Sequence, residues 1–285
     1  MAEKLIVGAV AHTPEVVTIW EGYRAYFVDH GLPFDYVLFS NYEHQVEAQF
    51  DGTLHLAWNS PLAWLRADRI AKARGLAVSV VAMRDCDRDL RSVIVVRADD
   101  EVDSPADLRG KTIGFGAVDS PQASLIPLAH LRLLGLRAGR DFNVRRFDVN
   151  SGKHGNHVDG EREAAAALMA GEIDAACMIE GNHSSFANDA VLTPGSTRVL
   201  ARTDPYDHCN FTASPGAPVF QIMRFVDLLL ALPGEKPAAH PRLKQEGLGH
   251  WVPGRTTGYS LLQRAVDEHG FYGRDGSILA SDYRY

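Results

Sequence analysis

Residues 92–135 read SVIVVRADDEVDSPADLRGKTIGFGAVDSPQASLIPLAHLRLLG, and this stretch decides the fold. Its first six residues, Ser92 to Arg97, enclose four apolar, β-branched residues in succession, which predicts a buried strand. Residues 111–116 predict a second strand, and 125–134 predict a helix that stops at Gly135. A strand, a polar loop and a helix in succession indicate an α/β sheet with helices packed on its faces.

The same cycle continues on both sides of this stretch. Towards the N-terminus, the pattern predicts strands at 5–10, 34–40, 54–58 and 76–83, separated by helices at 14–29, 42–51 and 61–73. Towards the C-terminus, it predicts strands at 142–150, 174–180 and 197–202, and helices at 161–170, 218–232 and 259–269. The chain is therefore expected to be an open α/β protein with no internal repeat.

Composition narrows the class of protein. The chain has 285 residues, 46% hydrophobic residues and a formal net charge of -7, which argues against a nucleic-acid surface. The chain has three cysteines, an odd number, and no CxxC pair, which argues against a framework of disulfide bonds. The longest apolar run is too short to insert into a membrane. As the sequence stands, without a basic and apolar leader, a cytoplasmic location is expected; removal of a signal peptide would make it periplasmic or extracellular.

Polar side chains follow most of the predicted strands. In open α/β sheets, ligands bind beyond the carboxyl ends of the strands, where loops and helix N-termini converge. The Gly-rich loop 148–161 carries two histidines and follows one such strand. The predicted ligand-binding residues, all at such ends, are His12, Tyr42, His44, Asn59, Ser60, Ser120, Gln122, His154, His157, Glu180, His183 and His208.

Several motifs are similar to those of type II periplasmic (solute) binding proteins, in particular the phosphate/phosphonate-binding branch. They are the stretch 92–124 quoted above, Ala57-Trp-Asn-Ser-Pro-Leu-Ala63 and Gly171-Glu-Ile-Asp-Ala-Ala176. The resemblance covers roughly residues 5–215. It implies two α/β lobes, each with a mixed sheet, and an interlobe cleft that holds the ligand. Lobe one would comprise 1–95 and 204–285, and lobe two 96–203.

The resemblance implies that this protein binds a small anionic molecule of phosphonate, phosphate or carboxylate type. The family's ligand-gripping loop matches Asp119-Ser-Pro-Gln-Ala-Ser124. Here Pro121 and Gln122 replace small hydroxyl residues, which puts strict phosphonate specificity in doubt, and helix capping is the alternative role of this loop. The partners implied are a small-molecule ligand and the membrane subunits of an ABC transporter.

The histidines allow a metal interpretation as well. His154, His157, His208 and Cys209 form a chemically acceptable set for zinc or another transition metal. Exposed loop histidines and direct contact with an anion are the alternatives, and ligand contact is preferred over metal binding. A thiolate nucleophile at Cys209 is disfavoured, because His208 and Cys209 would point in opposite directions on an extended segment.

A second function belongs to a different class. Some cytoplasmic enzymes on this fold are lyases or decarboxylases that act on small cyclic carboxylates, among them chorismate dehydratase. The absence of a leader and the many titratable residues favour this alternative, in which His157 and His208 would be catalytic. Fold resemblance alone does not establish catalysis, so a binding protein is placed first.

Overall fold

The computed structural model describes residues 4–149, 151–155, 158–232 and 249–285. The chain divides into two compact units. Unit one comprises Met1–Asp89, Asp207–Tyr259 and Tyr272–Ile278, and unit two comprises Leu90–Tyr206, Ser260–Phe271 and Leu279–Tyr285. The sequence prediction placed the whole tail 204–285 in lobe one, whereas this division assigns 260–271 and 279–285 to unit two.

Unit one contains a mixed sheet with helices on both faces. Its strands are β1 Leu5–Val10, β2 Phe34–Phe39, β3 Leu56–Asn59, β4 Ser79–Arg84, β10 Asn210–Ala213 and β11 Trp251–Pro253. Its helices are α1 Glu15–Asp29, α2 Tyr42–Phe50, α3 Pro61–Ala73 and α7 Val219–Leu230. The strand order within the described residues is β11-β4-β10-β3-β1-β2. Strands β1, β2 and β3 are parallel, while β10 runs antiparallel between β3 and β4.

Unit two has a second mixed sheet. Its strands are β5 Ser92–Arg97, β6 Thr112–Phe115, β7 Asn143–Arg146, β8 Ala175–Ile179 and β9 Thr197–Arg202. Its helices are α4 Ile126–Leu133, α5 Asp159–Met169, α6 Glu180–Asn188 and α8 Ser260–His269. The order is β7-β6-β8-β5-β9, with β6, β7 and β8 parallel and β5 antiparallel to both neighbours. Two mixed sheets with flanking helices confirm the predicted α/β fold class.

The alternation of side chains along a strand explains how both faces of the second sheet are covered. Val93 and Val95 of β5 belong to one buried cluster, together with residues of α5. Ile94 and Val96 belong to the cluster on the other face, which also holds Cys177 at 0% exposure. A strand buried on both faces has no polar side to alternate with, so its sequence is a continuous apolar run.

Three local predictions needed correction. The strand expected at 142–150 is β7 and ends at Arg146, and Asn150 lies outside the described residues. The strand expected at 174–180 ends at Ile179, and Glu180 begins α6. Strand β10 was missed because Asn-Phe-Thr-Ala is short and half polar. Its polar side chains are hydrogen-bonded, since Asn210 donates to the Tyr259 hydroxyl at 2.8 Å and accepts from the Thr212 hydroxyl at 2.5 Å.

Candidate functional site

The first polar cluster of unit one lies where β1 and β2 end. Helix α2 begins after Asn41, whose Oδ1 accepts the His44 backbone N–H at 2.9 Å, as expected of an N-cap. The Tyr42 side chain is fully buried, and its hydroxyl lies 3.3 Å from His12 Nε2. The structure therefore brings the predicted residues His12 and Tyr42 into contact, and His44 lies two residues further along α2.

Buried amide side chains form a hydrogen-bond network at the end of β3. Asn59 is 0% exposed; its Oδ1 accepts from Gln45 Nε2 at 2.8 Å, and its Nδ2 donates to Gln49 Oε1 at 3.0 Å. Ser60 caps α3, because its Oγ accepts the Ala63 backbone N–H at 3.1 Å. Asn59 thus attaches α2 to the end of β3, and Ser60 caps α3.

A second cluster in unit one joins the turn after β4 to the segment before β10. The carboxylate of Asp87 receives a bidentate interaction from the Arg84 guanidinium. Cys209 Sγ lies 3.1 Å from His208 Nδ1, and the same nitrogen lies 3.4 Å from Asp87 Oδ1. Asp87, His208 and Cys209 are 2%, 8% and 4% exposed. The prediction that His208 and Cys209 point apart was wrong, because this segment is irregular and not extended strand.

The electrostatics of this cluster disfavour a nucleophilic thiolate. Burial raises the pKa of the Cys209 thiol well above its usual value, and the Asp87 carboxylate raises it further. Burial also acts to raise the pKa of Asp87, but the Arg84 charge and hydrogen bonds outweigh it and leave that pKa lowered. Both Cys209 and Asp87 approach the same imidazole nitrogen, so no relay from carboxylate through imidazole to thiol exists here.

Unit two holds the loop that matches the ligand-gripping motif. A π-helical turn, Pro121–Leu125, precedes α4, and Ser120 caps it by accepting the Ala123 backbone N–H at 3.1 Å. Gln122 is 3% exposed, and its Nε2 donates to the Gly155 carbonyl at 2.7 Å. Among the described residues, Gln122 Oε1 has no hydrogen-bond partner. A buried acceptor without a partner is unfavourable by about 1–3 kcal/mol, unless a ligand or water supplies a donor.

The segment 151–155 packs over this turn. The Asp119 carboxylate accepts the backbone N–H groups of Gly152 and His154, both at 2.8 Å. His154 is fully buried and has a positive φ of 51°, a conformation that costs free energy for a residue other than glycine. Ser120, Gln122 and His154 are thus brought together. His157 lies outside the described residues.

The remaining candidates lie on α6 of unit two. Glu180 Oε1 accepts from Arg202 Nε at 2.6 Å, and His183 Nε2 lies 3.0 Å from Thr197 Oγ1. Both partners belong to β9, so these contacts attach α6 to the edge of the sheet. Burial lowers the pKa of His183 below its usual value. Contact of either residue with a ligand stays a prediction.

Sequence reasoning missed two carboxylates of these clusters. Asp87 stands in the charged run Arg84-Asp-Cys-Asp-Arg88, where nothing in the spacing reveals that it meets residues 208 and 209. Asp119 stands directly before Ser120 in the quoted motif, but its bonds reach residues more than 30 positions away. Contacts between residues so far apart in the sequence depend on the order of strands in the sheet, and a local sequence pattern does not reveal them.

The fold and these loops define the class of a type II periplasmic binding protein. A family model described as ABC transporter, phosphonate, periplasmic substrate-binding protein matches residues 13–259. The chain therefore belongs to this family of substrate-binding proteins, as the resemblance indicated. The family is periplasmic and serves transporters of small molecules. No helix in the described part of the chain is long and apolar enough to cross a bilayer.

Solved structures share the fold at low sequence identity. PhnD1 from Prochlorococcus marinus, solved with methylphosphonate, has a TM-score of 0.66 and 16% identity, covering 93% of this chain and 97% of that one. A Xanthomonas citri protein bound to ATP has a TM-score of 0.68 and 17% identity, with coverage of 93% and 99%. A binding component of an ABC phosphonate transporter from Pseudomonas aeruginosa has a TM-score of 0.60 and 13% identity, covering 92% and 85%.

Proposed function

We propose that this protein binds a small oxyanion that carries at least one hydroxyl, namely a phosphonate or phosphate in its monoanionic form. It delivers this ligand to the membrane subunits of an ABC transporter. We infer the ligand class from Gln122 Oε1, which is a buried acceptor without a hydrogen-bond partner in the described structure. Family membership supports the transport role, and the methylphosphonate bound to PhnD1 supports the chemistry.

The electrostatics of the turn at Ser120 support a singly charged ligand. Backbone N–H groups at the start of a helix attract an anion. The neighbouring Asp119 carboxylate opposes a second negative charge on the ligand. Positive charge comes from Arg146, whose Nη1 donates to Ser124 Oγ at 3.3 Å. A hydrogen phosphonate satisfies these conditions, because its unprotonated oxygens accept hydrogen bonds and its hydroxyl donates one to Gln122.

This proposal distinguishes phosphonates from sulfonates. A sulfonate has the same tetrahedral shape but carries no hydroxyl at neutral pH, so Gln122 Oε1 would be left without a donor. An unsatisfied buried acceptor costs about 1–3 kcal/mol, which corresponds to about 5–150-fold in affinity. We therefore expect methylphosphonate to bind more tightly than methanesulfonate by a factor in this range.

The test is isothermal titration calorimetry of the full chain with methylphosphonate, inorganic phosphate and methanesulfonate. Gln122→Met keeps the length of the side chain but removes both the Oε1 acceptor and the Nε2 donor to Gly155. Loss of the donor affects both ligands alike, so the preference for methylphosphonate over methanesulfonate should disappear with the acceptor. Gln263→Met, an exposed position on α8 of the same unit, is the matched control and should keep it. Equal affinity of the wild type for both ligands, or an unchanged preference in Gln122→Met, would refute the role of Gln122; no binding of any oxyanion would refute the ligand class.

A further inference from the structure

Unit one contains three metal-binding side chains of different chemistry close together. One carboxylate oxygen of Asp87, one imidazole nitrogen of His208 and the thiol sulfur of Cys209 all lie within 4.8 Å of one another, and all three residues are buried. Within the described residues, no other group of three or more His, Cys, Asp and Glu side chains brings its possible ligand atoms this close together. A nitrogen, a sulfur and an oxygen donor together suit zinc and related transition metals, not calcium or magnesium.

Two of the three spacings between the donor atoms are near those of a tetrahedral site. His208 Nδ1 lies 3.1 Å from Cys209 Sγ and 3.4 Å from Asp87 Oδ1. In a tetrahedral zinc site with bonds of about 2.0–2.3 Å, neighbouring ligand atoms are about 3.3–3.6 Å apart. These two spacings differ from the tetrahedral values by only a few tenths of an ångström, and the third, between Cys209 Sγ and the Asp87 carboxylate, is at most 4.8 Å.

The fold holds these side chains in place without any ion. The His208 backbone N–H donates to the Asp87 carbonyl at 2.8 Å, which fixes the two segments against each other. The Tyr259 hydroxyl donates to the His208 carbonyl at 2.8 Å. Arg84 orients the Asp87 carboxylate from the outer side, as hydrogen-bonded partners of metal ligands do.

Two features oppose a cation: the charge of Arg84, and the burial that disfavours the thiolate form of Cys209. Once Cys209 has lost its proton, the carboxylate and thiolate together outweigh the guanidinium, and the group carries a net charge of about −1. A divalent ion is therefore still attracted to it. Asp87 Oδ1 accepts from Arg84 at 2.9 Å and from the Cys209 backbone N–H at 3.3 Å, so a metal ion bound to this oxygen would displace the longer of these two bonds.

We propose that Asp87, His208 and Cys209 bind a thiophilic divalent transition-metal ion of the zinc type. Three protein ligands leave one coordination position for water or another exchangeable ligand. Asp87 takes the place that the sequence prediction gave to His154 and His157. The site is independent of the oxyanion proposal, because it lies in unit one and metal binding can be measured without any organic ligand.

The experiment uses the untagged full chain, stripped with a chelator and then titrated with Co²⁺ in chelator-free buffer. Cobalt bound to a thiolate gives a near-ultraviolet charge-transfer band, which reports cysteine ligation directly. We expect the band to saturate at one equivalent and to disappear when Zn²⁺ is added. Cys209→Ser should abolish the band, and His208→Gln should weaken binding by more than about 100-fold, beyond the loss typical of residues outside the first coordination shell.

The chain supplies matched controls for this experiment. Cys86→Ser changes a half-buried cysteine in the neighbouring 3₁₀ turn, and Cys177→Ser changes a buried one in unit two; both should keep the band. Far-ultraviolet circular dichroism of each variant shows whether it is folded. No band in the wild type would overturn the proposal, as would a band that survives in folded Cys209→Ser or is lost in folded Cys86→Ser. Oxyanion binding by metal-stripped protein tests the proposed function separately.

Discussion

Asp87→Asn tests how much the buried ion pair of unit one contributes to stability. The Asp87 side chain is 3% exposed, and its partner Arg84 is 23% exposed, lying over the Trp58 ring at 5.3 Å from its centroid. Removing one charge of a buried pair leaves the other uncompensated and typically costs 3–5 kcal/mol. Because Arg84 is partly exposed and asparagine keeps one acceptor, we expect a loss of about 3 kcal/mol in the free energy of unfolding, the lower end of that range.

The assay is urea unfolding followed by circular dichroism, with chelator present so that a bound metal does not add to the stability of the wild type. Asp189→Asn is the matched control, since Asp189 pairs with Arg162 at 2.9 Å and the two side chains are 46% and 39% exposed. An exposed pair contributes about 0–1 kcal/mol. If Asp87→Asn is no more destabilising than Asp189→Asn, the pair does not stabilise unit one as argued.

The same pair predicts a dependence on pH. The pKa of Asp87 is lowered in the folded protein, below the value of about 3.9 expected in the unfolded chain. The stabilisation from its charge is therefore fully present above about pH 5 and is lost as the pH falls through the lower, folded-state pKa. The difference in unfolding free energy between the wild type and Asp87→Asn should narrow as the solution is acidified. A difference that stays constant down to pH 3 would contradict this assignment.

Two further predictions concern unit two. In Gly155→Ala the new Cβ would lie 2.5 Å from the Ser120 Cβ at a φ of +57°, whereas in Gly139→Ala, at a φ of +74°, it would meet nothing within 4 Å. Backbone strain should lower the free energy of unfolding of both variants by about 1–2 kcal/mol. Only Gly155→Ala should lose about 1–3 kcal/mol more through overpacking. Equal urea midpoints for the two variants would refute the close packing of 151–155 on the turn. The lowered pKa of His183 means that the folded state resists its protonation, so its contribution to stability is present above about pH 6.5 and declines below it. His183→Gln should therefore lose less stability between pH 7 and pH 5 than the wild type does, and identical losses would contradict the prediction.

Element order was predictable because the signals that set it are local. Ser60 and Pro61 mark the start of α3 in the sequence, and Ser60 is its N-cap in the structure. The apolar run of β5 has the predicted bounds, Ser92–Arg97. Strand β10 was not predictable, since its four residues have no strand pattern of their own and pair antiparallel with β3 and β4 only through the tertiary fold. Long-range pairing of this kind leaves no periodic trace in the sequence.

The sequence by itself determined the α/β class, the family and most of the polar residues at the strand ends, because periodicity, caps and short motifs are properties of neighbouring residues. Only the tertiary structure decided what those residues contact. It enclosed Asn59 in an amide network, left Gln122 Oε1 without a partner among the described residues, and placed Asp87 beside His208 and Cys209, more than 100 positions away. Burial and charge pairing of this kind depend on chain segments that only the folded sheet brings together, so the chemistry of each site was fixed at the tertiary level.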